Sequence, residues 1–133
     1  MDDEPVVRRF AHKALASFGY QVETVADGQQ AIERYRAAHA EGRPYDGVVL
    51  DLTVPGGMGG QEAMQALLAI DPAVRAIVSS GYSNDPIMAN FKAYGFCGCI
   101  NKPYQVEDLR MAASSFGRRD DDHDPSCGIK DAP

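Results

Sequence analysis

The chain has 133 residues, 44% of them hydrophobic and 24% charged, the size and balance of a single globular domain. Nineteen acidic residues against 13 Lys and Arg leave a net charge of −6, which argues against a nucleic-acid partner, because a phosphate backbone would be repelled overall. No apolar run nears the ~20 residues of a membrane span, and Met1-Asp2-Asp3-Glu4-Pro5 carries neither a basic nor an apolar leader segment. No direct membrane contact is therefore expected, and the cytoplasm is the expected compartment.

In chain order, residues 6–18 predict a helix, with Val7, Phe10, Ala14 and Phe18 at helical spacing and Gly19 as its stop. Residues 21–25 (QVETV) alternate like a strand, and Ala26-Asp27-Gly28 opens a helix over 28–40 with Ala31, Ile32, Tyr35 and Ala38 inward. After a loop at 41–45, residues 46–50 form an apolar run ending on Asp51. A run without polar alternation predicts a strand covered on both faces, as in a parallel sheet. Residues 55–60 (PGGMGG) predict a flexible loop. Residues 61–69 predict a helix with Ala63, Met64, Leu67 and Leu68 inward, and 74–79 a strand. A loop from Gly81 to Asp85 leads to a short helix at 86–94 with Ile87, Phe91 and Tyr94. A strand at 96–100, a turn at Asn101-Lys102-Pro103 and a helix at 105–116 with Val106, Leu109, Ala113 and Phe116 complete the pattern. Residues 118–133, with three basic and five acidic residues, predict a disordered polar tail after a domain at 1–117. Cys97, Cys99 and Cys127 are too few for a disulfide framework, and Cys97-x-Cys99 lacks the further ligands of a metal site.

Alternating helices and strands predict a doubly wound α/β fold, in which functional groups gather at the carboxyl ends of the strands. Asp51 ends one predicted strand, Ser79 and Ser80 a second, and Lys102 follows a third. Asp2 and Asp3 stand before the first helix, where another strand would end. Three carboxylates repel one another unless a hard divalent cation such as Mg²⁺ sits among them. A carboxylate, a cation and a Lys are also what phosphoryl transfer to an Asp requires. Singly, each residue has a plainer reading: Asp2 and Asp3 as charges at a helix N-terminus, Asp51 as a loop cap, Ser80-Gly81 and Lys102-Pro103 as turns. A nucleotide-binding P-loop is unsupported, since no Lys-Ser/Thr follows the glycines at 56–60.

Asp2-Asp3, Asp51 in VVLDLTVPGG, Ser80 in IVSSGY and Lys102-Pro103 in CINKPY together resemble the receiver domain of two-component response regulators, the chemotaxis-regulator-like family. The loop PGGMGGQE and the stretch SSGYSNDPIMANF are most similar to receivers of hybrid sensor histidine kinases. The resemblance implies a flavodoxin-like fold with strand order 2-1-3-4-5. It implies Asp51 as phosphoacceptor, Asp3 as direct Mg²⁺ ligand with Asp2 assisting, and the Thr53 carbonyl as a further ligand. Ser80 and Lys102 would bind the phosphoryl group, and Pro103 would follow a cis peptide. The implied partner is a histidine kinase dimerisation/phosphotransfer domain or a histidine phosphotransfer protein. The chain would not be a conventional enzyme, though it would catalyse its own phosphoryl transfer and dephosphorylation.

Three features depart from the family. Its first strand is reduced here to Met1, which implies upstream residues, a strand from a partner or a rearranged sheet. Cys99 stands where an aromatic switch residue is expected. The glycine-rich loop is one residue longer than usual, which would loosen partner docking. The alternative is a pseudo-receiver, an interaction module that is never phosphorylated.

Overall fold

The computed structural model describes residues 1–82 and 84–116; the tail expected at 118–133 lies outside the described residues. Three parallel strands, β1 (Val48–Asp51), β2 (Ala76–Ser80) and β3 (Gly98–Asn101), form a sheet in the order β1-β2-β3. Among the described residues five helices surround it: α1 (Pro5–Ser17), α2 (Gly28–Ala40), α3 (Gly60–Ile70), α4 (Pro86–Ala89) and α5 (Val106–Phe116). The register sets Asp51 opposite Ser79, and Ser79 opposite Ile100.

Alternation along the strands divides the core. Leu50, Ala76 and Val78 pack with Ala31, Ile32 and Tyr35 of α2, Ala63, Met64 and Leu67 of α3, and Met88 of α4. On the opposite face Ile77, with Val49 and Ile100, meets Ala112 and Phe116 of α5, and α1 lies along α5. The close fit at Phe116 depends on Gly47, where a Cβ would sit 2.0 Å from the ring.

Local chemistry explains the helix ends. Asp27 accepts a hydrogen bond from the Gln30 N–H, and the Gln30 side-chain oxygen accepts one from the Ala26 N–H, a reciprocal cap at the start of α2. Gly19, at φ +97°, ends α1 in a conformation that other residues rarely adopt. The Asp108 carboxylate accepts the Gln105 N–H before α5.

Several expectations need correction. Residues 21–25 form no strand. Their contact with the sheet runs through Met1 and Asp2, which lie between them and β1: the Met1 ammonium donates to the Val49 carbonyl, Asp51 N–H to the Met1 carbonyl, and Asp2 N–H to the Val25 carbonyl. The expected order 2-1-3-4-5 is thus realised as a ladder for its last three strands among the described residues, because a neighbouring strand is what turns an extended segment into one. α1 buries Ala14 but leaves Phe10 38% exposed. The helix expected at 86–94 divides at Asn90 into α4 and a 3₁₀ turn, Phe91–Tyr94. Tyr94 and Val106, expected inward, are exposed, and Met88 takes the buried place in α4.

The loop expected at 55–60 leaves Pro55, Gly56 and Gly57 exposed but is closely packed where it enters α3. A Cβ on Gly59 would stand 2.4 Å from the Leu52 carbonyl oxygen, and one on Gly60 2.9 Å from that of Asp51. These glycines let α3 begin directly against the end of β1. Gly28 N–H further ties the loop to α2 through the Met58 carbonyl.

Candidate functional site

The carboxyl ends of the strands bring four of the predicted residues together. Asp51 ends β1 and is 1% exposed; Asp2 is 4% exposed, and Asp3 is half-buried. One carboxylate oxygen from each of Asp2, Asp3 and Asp51 lies within 4.8 Å of the others. Lys102 Nζ sits between two of them, 3.0 Å from Asp2 Oδ2 and 3.3 Å from Asp51 Oδ2.

Asp2 is held from several directions. Its Oδ1 accepts the Glu4 N–H as the chain turns into α1, and Arg8 donates to its carbonyl at 2.7 Å. The two Asp2 oxygens divide the work, Oδ1 fixing the turn that leads into α1 and Oδ2 facing Lys102. The Lys102 backbone N–H donates to the Ser80 carbonyl, fixing the β3–α5 loop on the end of β2. The Lys102–Pro103 peptide is cis.

One ammonium faces three carboxylates, and the titration behaviour follows. Burial, reinforced by the charge on Asp2, pushes the Asp51 carboxyl up to about 6, against the opposing pull of Lys102 and of a backbone hydrogen bond from Thr53. Burial works against the charge on Lys102, but its bonds to Asp2 and Asp51 outweigh it and raise the pKa. Asp51 Oδ2 is buried with the Lys102 ammonium 3.3 Å away and no well-formed hydrogen bond. A carboxylate oxygen left to a single ion pair, with two further carboxylates beside it, suits a hard cation with oxygen ligands. The donor set thus fits Mg²⁺.

Ser80 ends β2 and is 1% exposed. Its hydroxyl accepts the Tyr82 N–H at 2.9 Å, so it is engaged with its own loop. Thr53 is exposed just beyond β1. Cys99 is half-buried on the α2–α3 side of β3, opposite Val78; burial raises its thiol pKa. Sequence reasoning missed Arg8 as a support for Asp2, and it missed a hydroxyl–hydroxyl bond of 2.7 Å between Ser79 and Tyr104. The only signals were the doubled serine before Gly81 and the aromatic residue two places after Lys102.

Among the described residues no helix is long and apolar enough to cross a membrane. Residues 1–114 match the family model of the response regulator receiver domain. The chemotaxis protein CheY of Thermotoga maritima is 30% identical over 119 residues, 89% of this chain and 94% of that protein. The sensor kinase CckA of Brucella abortus is 30% identical over 121 residues, which are 91% of this chain but only 12% of the kinase. Among solved structures, the receiver domain of a sensor histidine kinase from Pseudomonas aeruginosa superposes with a TM-score of 0.71 at 25% identity, covering 83% of this chain and 87% of that one. That structure is described with a magnesium ion coordinated in its active-site cleft.

Proposed function

The chain belongs to the response regulator receiver domain family of two-component signalling, and from that premise we propose that Asp51 accepts a phosphoryl group from a phosphohistidine in a Mg²⁺-dependent reaction. The observation that carries this reading is the buried Asp51 Oδ2, which makes no well-formed hydrogen bond, with the Asp2 and Asp3 carboxylates beside it and Lys102 at 3.3 Å. Asp3, Asp51 and the Thr53 carbonyl would hold Mg²⁺, with Asp2 assisting. Bound there, Mg²⁺ supplies positive charge to the oxygens of the transferring phosphoryl group.

A carboxylate oxygen of Asp51 attacks phosphorus in line. The phosphorus–nitrogen bond to the imidazole breaks, and its electron pair stays on that nitrogen. Lys102 leaves Asp2 to pair with a phosphoryl oxygen, and the Ser80 hydroxyl, which accepts the Tyr82 N–H, donates its own proton to another. Water attack on the acyl phosphate later returns Asp51 and inorganic phosphate. The partner is a histidine kinase dimerisation/phosphotransfer domain or a histidine phosphotransfer protein. The match to a small part of a sensor kinase supports a receiver of the hybrid-kinase kind.

Incubating the chain with an acyl phosphate donor and Mg²⁺ tests the reading. One phosphoryl group should appear in the intact mass, chelation should prevent it, and Asp51→Asn should abolish it. Asp3→Ala should sharply raise the Mg²⁺ concentration required. Equal labelling of the Asn variant would overturn the assignment. No labelling of the parent chain would favour the second reading, an unphosphorylated interaction module.

A further inference from the structure

Lys102 must stay aimed at Asp51 although it stands on a loop, between β3 and α5, rather than on a strand. Its backbone N–H is tied to the Ser80 carbonyl at 2.9 Å. Pro103 has no N–H to add a second bond. The next tether is the side chain of Tyr104, whose hydroxyl meets that of Ser79 at 2.7 Å. Ser79 is 0% exposed and stands directly opposite Asp51 in the β1–β2 register. The two tethers therefore fasten the Lys102 loop to consecutive residues, Ser79 and Ser80, at the end of a fully buried strand.

We infer that the Ser79–Tyr104 hydroxyl pair is a positioning device for Lys102, holding its loop against β2 so that the ammonium stays over Asp51. The inference rests on the reading of Asp51 as phosphoacceptor. Neither hydroxyl touches the reacting atoms; the pair acts through the loop. A buried hydroxyl without a partner is costly, so each residue of the pair explains the other. Burial pushes the Tyr104 phenol up to about 12, so the hydroxyl keeps its proton at any working pH. Asp2, Lys102 and Asp51 all act on that phenol electrostatically, which places it beside the site it serves. With Cys99 in β3 bringing no ring to this edge, the tether comes from the other side of Lys102, and it arrives one residue before the Gln105–Asp108 cap of α5.

The test uses the full chain with Tyr104→Phe, Ser79→Ala and the double variant, each assayed below its own melting temperature. The rate of labelling by an acyl phosphate is measured across donor and Mg²⁺ concentrations. Each single variant should lower the maximal rate about fivefold, the scale of one hydrogen bond. The half-saturating Mg²⁺ concentration should not move, because the carboxylates are untouched. The double variant should be no slower than the singles, since the bond can be lost only once. Parent-like rates in both singles, losses that multiply in the double variant, or a shifted Mg²⁺ requirement would each overturn the pair. Amide hydrogen exchange at Lys102 gives a readout independent of phosphorylation. Faster exchange in each variant supports the tether, and unchanged exchange overturns it. If the parent chain takes no label, the reading of Asp51 fails while the exchange measurement still decides the pair.

Discussion

Helices α1 and α3 carry comparable apolar stripes, yet they meet different fates. In α3 the side chains of Ala63, Met64 and Leu67 are all 0% exposed, whereas α1 leaves Phe10 at 38% and Val6 at 67%. The surface each helix faces accounts for this. α3 lies over β1 and β2, whose side chains alternate into it. α1 lies beside the place where Met1 and Asp2 alone stand between β1 and residues 21–25. An amphipathic stripe specifies which face of a helix will be buried, but burial needs an opposing layer. The same contrast divides the sheet end to end. At the carboxyl end, β1, β2, the glycine-rich loop and Lys102 enclose Asp51, while beside Val48 the outer edge of β1 has no strand against it among the described residues.

The largest effect should come from damaging the well-packed side. Leu67→Ala should cost about 3 kcal/mol and lower the melting temperature by roughly 10 °C. A loss near zero would erase the difference between the two halves.

Filling the open side should work nearly as strongly in the other direction. A variant with five apolar, β-branched residues added before Met1 should pair parallel to β1 and give α1 a surface to cover. Burial of those side chains, less the entropy of fixing the backbone, should net ~2.5 kcal/mol. The gain has a second source. The Met1 ammonium is buried and its pKa is pushed down to about 6 by that burial, and an amide in its place carries no charge to desolvate. Five polar, flexible residues should remove the charge but add no strand. Equal melting of the two extended chains would show that the slot does not take a strand.

A smaller effect isolates the site. The folded Asp51 carboxyl titrates at about 6 against an ordinary 3.8, so between those values the folded chain holds a proton that the unfolded chain releases. The Asp51 contribution to stability without metal should therefore fall as the pH rises from about 4 to about 6, and stay lower above that. Asp51→Asn should remove this slope and raise stability at pH 7.5 by on the order of 2 kcal/mol. Adding Mg²⁺ should stabilise the parent chain at that pH much more than the Asn variant. A steeper slope in the variant would contradict the charge balance described for the site.

Phe10→Ser marks the bottom of the scale. A ring already half in water should cost no more than about 0.5 kcal/mol, against roughly 3 for Leu67→Ala. In the strand-extended chain the same substitution should cost more, because the ring would then have an opposing surface. Chemical denaturation of both backgrounds measures the difference directly.

Much of this was readable from the residues themselves. Asp51 and Lys102 each follow an apolar run, and Asp2 and Asp3 precede a helix with its own spacing, so strand ends and their charges could be placed by period and punctuation alone. Three of the strands, four of the five helices and the four charged groups at one sheet edge were determined at that level, because local pattern dictates which residues end an element. The tertiary structure decided what depends on a neighbour far away in the chain. Residues 21–25 have the alternation of a strand but lack the ladder beside them. The glycines at 59 and 60 read as looseness until the carbonyls of Leu52 and Asp51 occupy the space a Cβ would need. Ser79 and Tyr104 are 25 positions apart, and no period links them. Hydrogen bonds and packing between distant segments carry no local signature, so folding alone could show that Lys102 has a second hold on β2.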